Sequence, residues 1–240
     1  MLNYLHLKQK PKEFLAATGL TDDEFQVLLP SFETAFHQLY PNTLNWCGAQ
    51  RRRSSGAGST SRLPSVADKL FFILVYHKTF ALQTMHGLQF GLSQPQASYW
   101  IHRLLPVLQK ALAAMNLQPE RDGAKVAEQL SAIEGGANLS LDATERRLQR
   151  PQNDDLQREK YSGKKKAHTD KNLLLVNETT RRVVYLSPTV EGKKHDKKLA
   201  EESAISYPAN ARLTKDTGFQ GYEPEGVLTE QPKKKRKANS

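Results

Sequence analysis

The period of the hydrophobic pattern changes along this chain, and that change limits the fold more than any single motif. Up to about residue 115, apolar residues recur every three or four positions. Beyond about residue 137 they alternate, or run in short blocks bounded by turn residues. Residues 116–137, with Pro119, Gly123, Gly135 and Gly136, are polar. The expected organisation is a helical region over 1–120, a linker over 121–137 and an α/β region over 138–240.

Within the first region, Thr21 and Glu24 have capping-box spacing, and Phe25, Leu28, Leu29, Phe32, Phe36 and Leu39 form one apolar stripe behind them. Ser65 is placed to cap a helix through Leu70, Phe71, Leu74 and Val75. A second helix over about 82–90, the turn Gly91-Leu92-Ser93 and a third helix through Ile101, Leu104, Leu105 and Leu108 follow. This is the order of a helix-turn-helix, spanning about 82–110, with Leu88 and Leu92 as packing positions. The exposed face of the third helix would offer Gln94, Gln96, Ser98, Tyr99, His102 and Arg103 to base edges and phosphates. Pro106 is expected to kink this helix. Arg51 to Arg62, rich in Gly, Ser and Arg, reads as a basic linker.

In the second region, strands are expected at Leu139 to Asp142, Ala167 to Asn177, Arg182 to Ser187 and Ala211 to Lys215. A helix is expected at Lys194 to Ser203, and a hairpin turn at Asn177 to Arg181. Asp142 and Asp216 each follow a strand-like run, where a carboxylate is held rigidly with its oxygens open to a hard cation. Three strands, a helix and a further strand, with acids at two strand ends, is the order of a ribonuclease-H-like core. The fold class is therefore an α plus α/β chain: a helical bundle with a helix-turn-helix, then an incomplete ribonuclease-H-like mixed sheet with helices.

The net charge of +10 is spread over both halves, with 11 basic and 7 acidic residues in 1–120 against 24 and 18 in 121–240. This suits a long polyanion such as DNA, although solvated surface lysines would give the same count. The single cysteine, Cys47, excludes an internal disulfide. With one cysteine and no close histidine pair, an ordinary structural zinc site is set aside. No apolar run reaches the ~20 residues of a membrane span. A cytosolic protein is the expectation, with no membrane partner.

Four ordered blocks carry a resemblance: Leu141-Asp142-Ala143-Thr144-Glu145 with Gln149-Arg150-Pro151; Tyr161 to Thr169; Gly192 to Lys198; and Lys215 to Gly221. With these blocks the chain resembles the DDE transposases of the insertion sequence five type, bacterial DDE superfamily endonucleases, from about Leu20 onward. The resemblance implies Asp142 and Asp216 as catalytic metal ligands for Mg²⁺ (or Mn²⁺). It implies double-stranded DNA, both terminal inverted repeats and target, as substrate. It also implies a homo-multimer or a complex with full-length transposase, and a nucleoid-associated location in a bacterial cytoplasm. Lys164, Lys165 and Lys166, with His168, would track the DNA backbone.

The family's third ligand, a later glutamate, has no counterpart before Ser240. Glu223, Glu225 and Glu230 sit in a Gly- and Pro-containing loop, and Asp154, Asp155 and Glu159 in a polar surface stretch. His195 and Asp196 admit two readings, a ligand pair or a favourable start to a helix. The run Pro232 to Lys237 has three: a nuclear-import-like signal, a DNA-contacting loop, or a slippery lysine-coding run from which a frameshift continues. A C-terminally truncated product, binding DNA as a catalytically dead regulator, is the alternative expectation.

Overall fold

The computed structural model describes residues 1–41, 49–50, 61–131 and 138–232, so the Gly/Ser/Arg linker, apart from its last two residues, and the basic tail beyond Pro232 lie outside the described residues. The chain divides into two compact units, Met1–Leu117 and Gln118–Ser240.

The first unit is helical: α1 (Tyr4–Leu7), α2 (Pro11–Thr18), α3 (Asp22–Leu39), α4 (Val66–Thr79), α5 (Gln83–Phe90) and α6 (Gln94–Ala114). The expected capping box at Thr21 forms, and the expected cap at Ser65 proves to be a capping box as well. Thr21 and Glu24 satisfy each other's backbone N–H groups at the start of α3, and Ser65 and Asp68 do so for α4. Every residue of α4 from Lys69 to Val75 is buried. A helix apolar on all sides is the centre of a bundle, and α2, α3 and α6 pack around it. Of the expected stripe on α3, Phe25, Leu28, Phe32 and Phe36 are buried and Leu29 is half-buried, whereas Leu39, in the last turn, is exposed.

One packing position in the helix-turn-helix differs from expectation. Leu92 is buried, but Leu88 is 64% exposed and His86 is fully buried in its place. Helical periodicity alone does not reveal which side of a short helix faces inward. Here His86 lies among Phe72, Tyr76 and Phe90, with ring centroids 4.3–5.2 Å away. Neither of its ring nitrogens has a partner of normal hydrogen-bond geometry. Burial pushes its pKa down to about 4, opposed by the Phe72 backbone carbonyl.

A stability effect follows from that depressed value. Between about pH 6.5 and pH 4 the unfolded chain binds a proton at His86 that the folded chain refuses, so the first unit loses about 3 kcal/mol as pH falls through this window. Urea titrations followed by tryptophan fluorescence should show the loss, and His86→Phe should flatten it. An equal slope in the variant would remove His86 as its source.

The second unit opens with a 3-10 turn at Gly123–Lys125 and α7 (Val126–Ser131). It continues through β1 (Asn138–Arg147), α8 (Asp154–Lys160), β2 (Tyr161–Ser162), β3 (Ala167–Asn177), β4 (Arg182–Leu186) and β5 (Val190–Glu191). It ends with α9 (Asp196–Glu202), β6 (Arg212–Lys215), a 3-10 turn at Thr217–Phe219 and β7 (Leu228–Glu230). The order β4-β3-β1-β6-β7 makes a mixed sheet: β1, β3 and β4 are antiparallel, while β6 lies parallel to β1 and β7 parallel to β6. Leu139, Leu141, Leu173, Leu175 and Leu213 form the buried face against Leu199, Ala200 and Phe219. Asn177 closes the expected hairpin turn, its side-chain oxygen accepting from the Thr179 and Thr180 N–H groups.

Two expectations are revised. The segment taken as a linker belongs in part to this unit. Glu120 exchanges backbone hydrogen bonds with Val184 and Leu186, and Val126 and Leu130 are buried in the second core. Burying two such side chains contributes about 1.5–3 kcal/mol each, enough to hold a short helix that is otherwise polar. The first strand does not stop at Asp142 but runs to Arg147, because β3 pairs with it along its whole length. Asp154, Asp155 and Glu159 lie on α8, which has no buried residue.

Candidate metal and nucleic-acid sites

The parallel pairing of β1 with β6 ends at Leu141 opposite Lys215. Asp142 is the next residue of β1, and Asp216 follows the end of β6 and caps the 3-10 turn, so two acids 74 positions apart come to adjacent strand ends, where strands are spaced ~4.8 Å. Both are exposed. Leu141 and Lys215 beneath them are buried, which fixes where the two strands end their pairing. The Asp142 Oδ1 accepts from the Ala143 N–H at 2.8 Å, and the Asp216 Oδ1 from the Gly218 N–H at 2.8 Å. Neither carboxylate has an ion-pair partner among the described residues.

A third carboxylate approaches Asp216 from α9. A Cβ added to Gly218 would lie 2.6 Å from the Asp196 Oδ2 and 3.0 Å from the Asp216 Oδ1, so only glycine fits between the two acids. Asp196 is held by Lys171, whose Nζ donates to its Oδ1 at 2.8 Å and to the Lys194 carbonyl at 2.6 Å. His195 caps α9, its Nδ1 accepting from the Lys197 N–H. Capping therefore accounts for His195, and an ion pair for Asp196. Glu145, on β1, accepts from the Thr169 hydroxyl at 2.7 Å. Burial pushes its pKa up, but hydrogen bonds from Ser162 and Thr169 and the charges of Lys171 and Lys165 bring it below the usual carboxylate range.

Sequence reasoning missed Lys171. The signal was present, since a lysine in phase with Thr169, Leu173 and Leu175 on a strand face must be buried and needs an anion. Beside this pair is a cavity of about 270 Å³, lined in part by Lys164, Lys171, Lys193, Lys194 and Asp196. Lys164, Lys165 and Lys166 are exposed in the turn between β2 and β3. Glu223 is engaged by the buried Lys215, whose Nζ donates to it at 2.8 Å. Among the described residues, no three His, Cys, Asp or Glu side chains converge as a metal cluster. Two adjacent exposed carboxylates are nevertheless a donor set that a hydrated Mg²⁺ or Mn²⁺ accepts.

On α6 the predicted readers are placed unequally. Gln94, Gln96, Tyr99 and His102 are exposed, while Ser98 and Arg103 are half-buried. Gln96 caps its own helix, its Oε1 accepting from the Ser93 N–H and hydroxyl. Gln94 donates to Gln83 of α5 at 2.8 Å, bracing the two helices. The Arg103 guanidinium stacks 3.5 Å over the Tyr40 ring and donates to the Tyr99 hydroxyl. His102 bonds back to the Ser98 carbonyl. Much of this face is thus pre-ordered by contacts within the unit.

Two family models match the chain where these elements lie. Residues 61–114, which contain α4 to α6, match the helix-turn-helix of DDE superfamily endonuclease, and residues 141–240 match the DDE superfamily endonuclease. The chain is thus similar to DDE superfamily endonucleases over 54 residues of its helical part and 100 residues of its mixed-sheet part. It is similar to a protein of Microchaete diplosiphon described as "Probable transposase for insertion sequence element IS702", with 24% identity over 172 residues, which is 72% of this chain and 59% of that relative. It therefore spans about three fifths of the relative's length. No solved structure matches the chain. No helix among the described residues is long and apolar enough to cross a membrane.

Proposed function

We propose that this chain is a DNA transposition polypeptide. Its helix-turn-helix engages the element's ends as double-stranded DNA, and Asp142 with Asp216 supplies the carboxylates for metal-dependent strand cleavage and transfer. The observation that carries this reading is the register of β1 and β6, which sets the two acids side by side. The strand order, three antiparallel strands followed by two parallel additions, supports a ribonuclease-H-like core. Bound Mg²⁺ or Mn²⁺ would polarise the scissile phosphate and stabilise charge on the attacking and leaving oxygens. Asp142 and Asp216 hold their oxygens at the open end of the strand pair. The exposed Lys164, Lys165 and Lys166 supply positive charge to a nearby DNA backbone.

The test is Mg²⁺-dependent nicking of a duplex carrying an element end. Asp142→Asn and Asp216→Asn should each lower nicking by ~100-fold or more, since each removes a ligand charge worth several kcal/mol in the transition state. Nicking that is equal in the variants, or that survives chelation, would refute the assignment. Binding without any nicking by the unaltered chain would favour the regulator reading instead.

A further inference from the structure

The face of the sheet that carries Asp142 continues to a second feature. Alternation along β1 puts Asp142, Thr144 and Arg146 on one side. Residues paired across an antiparallel ladder share a face, so Leu174, opposite Asp142, lies on it, as does Asp170 opposite Arg146. Two residues beyond Asp170 stands His168, paired with Tyr161 of β2. Asp142 and His168 therefore look out from the same face, six residues apart along β3, or about 20 Å.

At that far end is an open cleft of about 530 Å³ lined by Arg150, Gln157, Arg158, Tyr161 and His168. Tyr161 is 45% exposed, and its ring meets that of His168 edge-on with centroids 5.6 Å apart. Arg150 is braced by Gln157, its Nε donating to Oε1 at 2.8 Å. Among the described residues neither Arg150 nor Arg158 is paired with a carboxylate. An exposed tyrosine ring with a half-buried histidine at its edge, beside two guanidiniums without carboxylate partners, is the chemistry that holds an unpaired nucleotide: the base stacks and the phosphate is forked. A paired base, already stacked in a duplex, has no free face to offer.

We propose that this cleft receives one unpaired nucleotide of the DNA strand whose phosphate lies at the aspartate pair, the base against Tyr161 and His168 and the phosphate between Arg150 and Arg158. The proposal rests on the reading of the chain as a DNA transposition polypeptide, and it adds a site on the same sheet face about 20 Å from the carboxylates.

The experiment uses the full chain, without metal, and a short fluorescent oligothymidylate as probe. Tyr161→Ala should weaken binding about five-fold or more, and Tyr161→Phe should keep wild-type affinity, because stacking needs the ring and not the hydroxyl. Arg150→Ala and Arg158→Ala should each reduce the salt dependence. A photoreactive iodouracil version of the probe should crosslink at Tyr161 or His168. Unchanged affinity in Tyr161→Ala, or crosslinks confined to other segments, overturns the proposal, and tighter binding of an oligouridylate of equal length overturns its assignment to DNA. Repeating the measurement in Asp142→Asn separates this site from the cleavage reading: crosslinking there, with no nicking by the unaltered chain, would sink the cleavage reading and leave the cleft standing.

Discussion

Lys171→Met is expected to destabilise the second unit by about 3–5 kcal/mol, the effect of removing one partner from a buried ion pair. The Lys171 and Asp196 side chains are 7% and 15% exposed, so Asp196 would be left with a charge that water barely reaches. The Lys194 carbonyl would lose its donor as well. The loss should appear as faster amide exchange at Leu173 and Leu213, on strands either side of β1. Combining Lys171→Met with Asp196→Leu should recover much of the stability, because no buried charge then stands alone. A double variant as unstable as the single one would show that the stability came from packing of the lysine stem.

Gly192→Ala is expected to cost about 3 kcal/mol. A Cβ there would fall 1.8 Å from the Thr169 Oγ1, 2.8 Å from the Thr169 Cβ and 2.9 Å from the Glu145 Oε1. Gly192 also donates its N–H to the Thr169 carbonyl at 2.9 Å, so the backbone cannot retreat without breaking that bond. Thr169 would have to turn its hydroxyl away from Glu145, and overpacking of this kind typically costs ~1–3 kcal/mol before the lost hydrogen bond is added. Gly163→Ala is the control, because nothing lies within 4 Å of the atom it adds. A urea midpoint that falls for Gly192→Ala and stays fixed for Gly163→Ala would confirm the cause. Equal behaviour would refute it.

Long periodic segments were legible before the structure. The stripe on α3, the capping box at Thr21, the cap at Ser65 and the helix pair around Gly91 follow from spacing and residue type, because each turn of a helix repeats the same burial. The hairpin from Leu173 to Leu186 was legible for the same reason. Three kinds of feature were not. The paired strands β2, β5 and β7 have two or three residues each, too few to show a period. The second half of β1, Ala143 to Arg147, lacks apolar alternation, because its outer face is open and its inner face there carries Glu145 rather than a leucine. The burial of Lys171 could be read from its phase on β3, but its partner Asp196 could not, because the pair joins side chains 25 positions apart. Of the candidate site, the two aspartates could be named from their strand ends, but the register that makes them neighbours belongs to the folded sheet.

The same register has a kinetic side. β1, β3 and β4 follow one another as antiparallel neighbours, whereas β6 reaches β1 only after a crossover that carries the chain through α9. Loop closure of that length is paid for late in folding, so parallel pairing of this sort forms slowly. The two acids are therefore brought to adjacent strand ends by the slow, long-range part of the sheet rather than by its local hairpins.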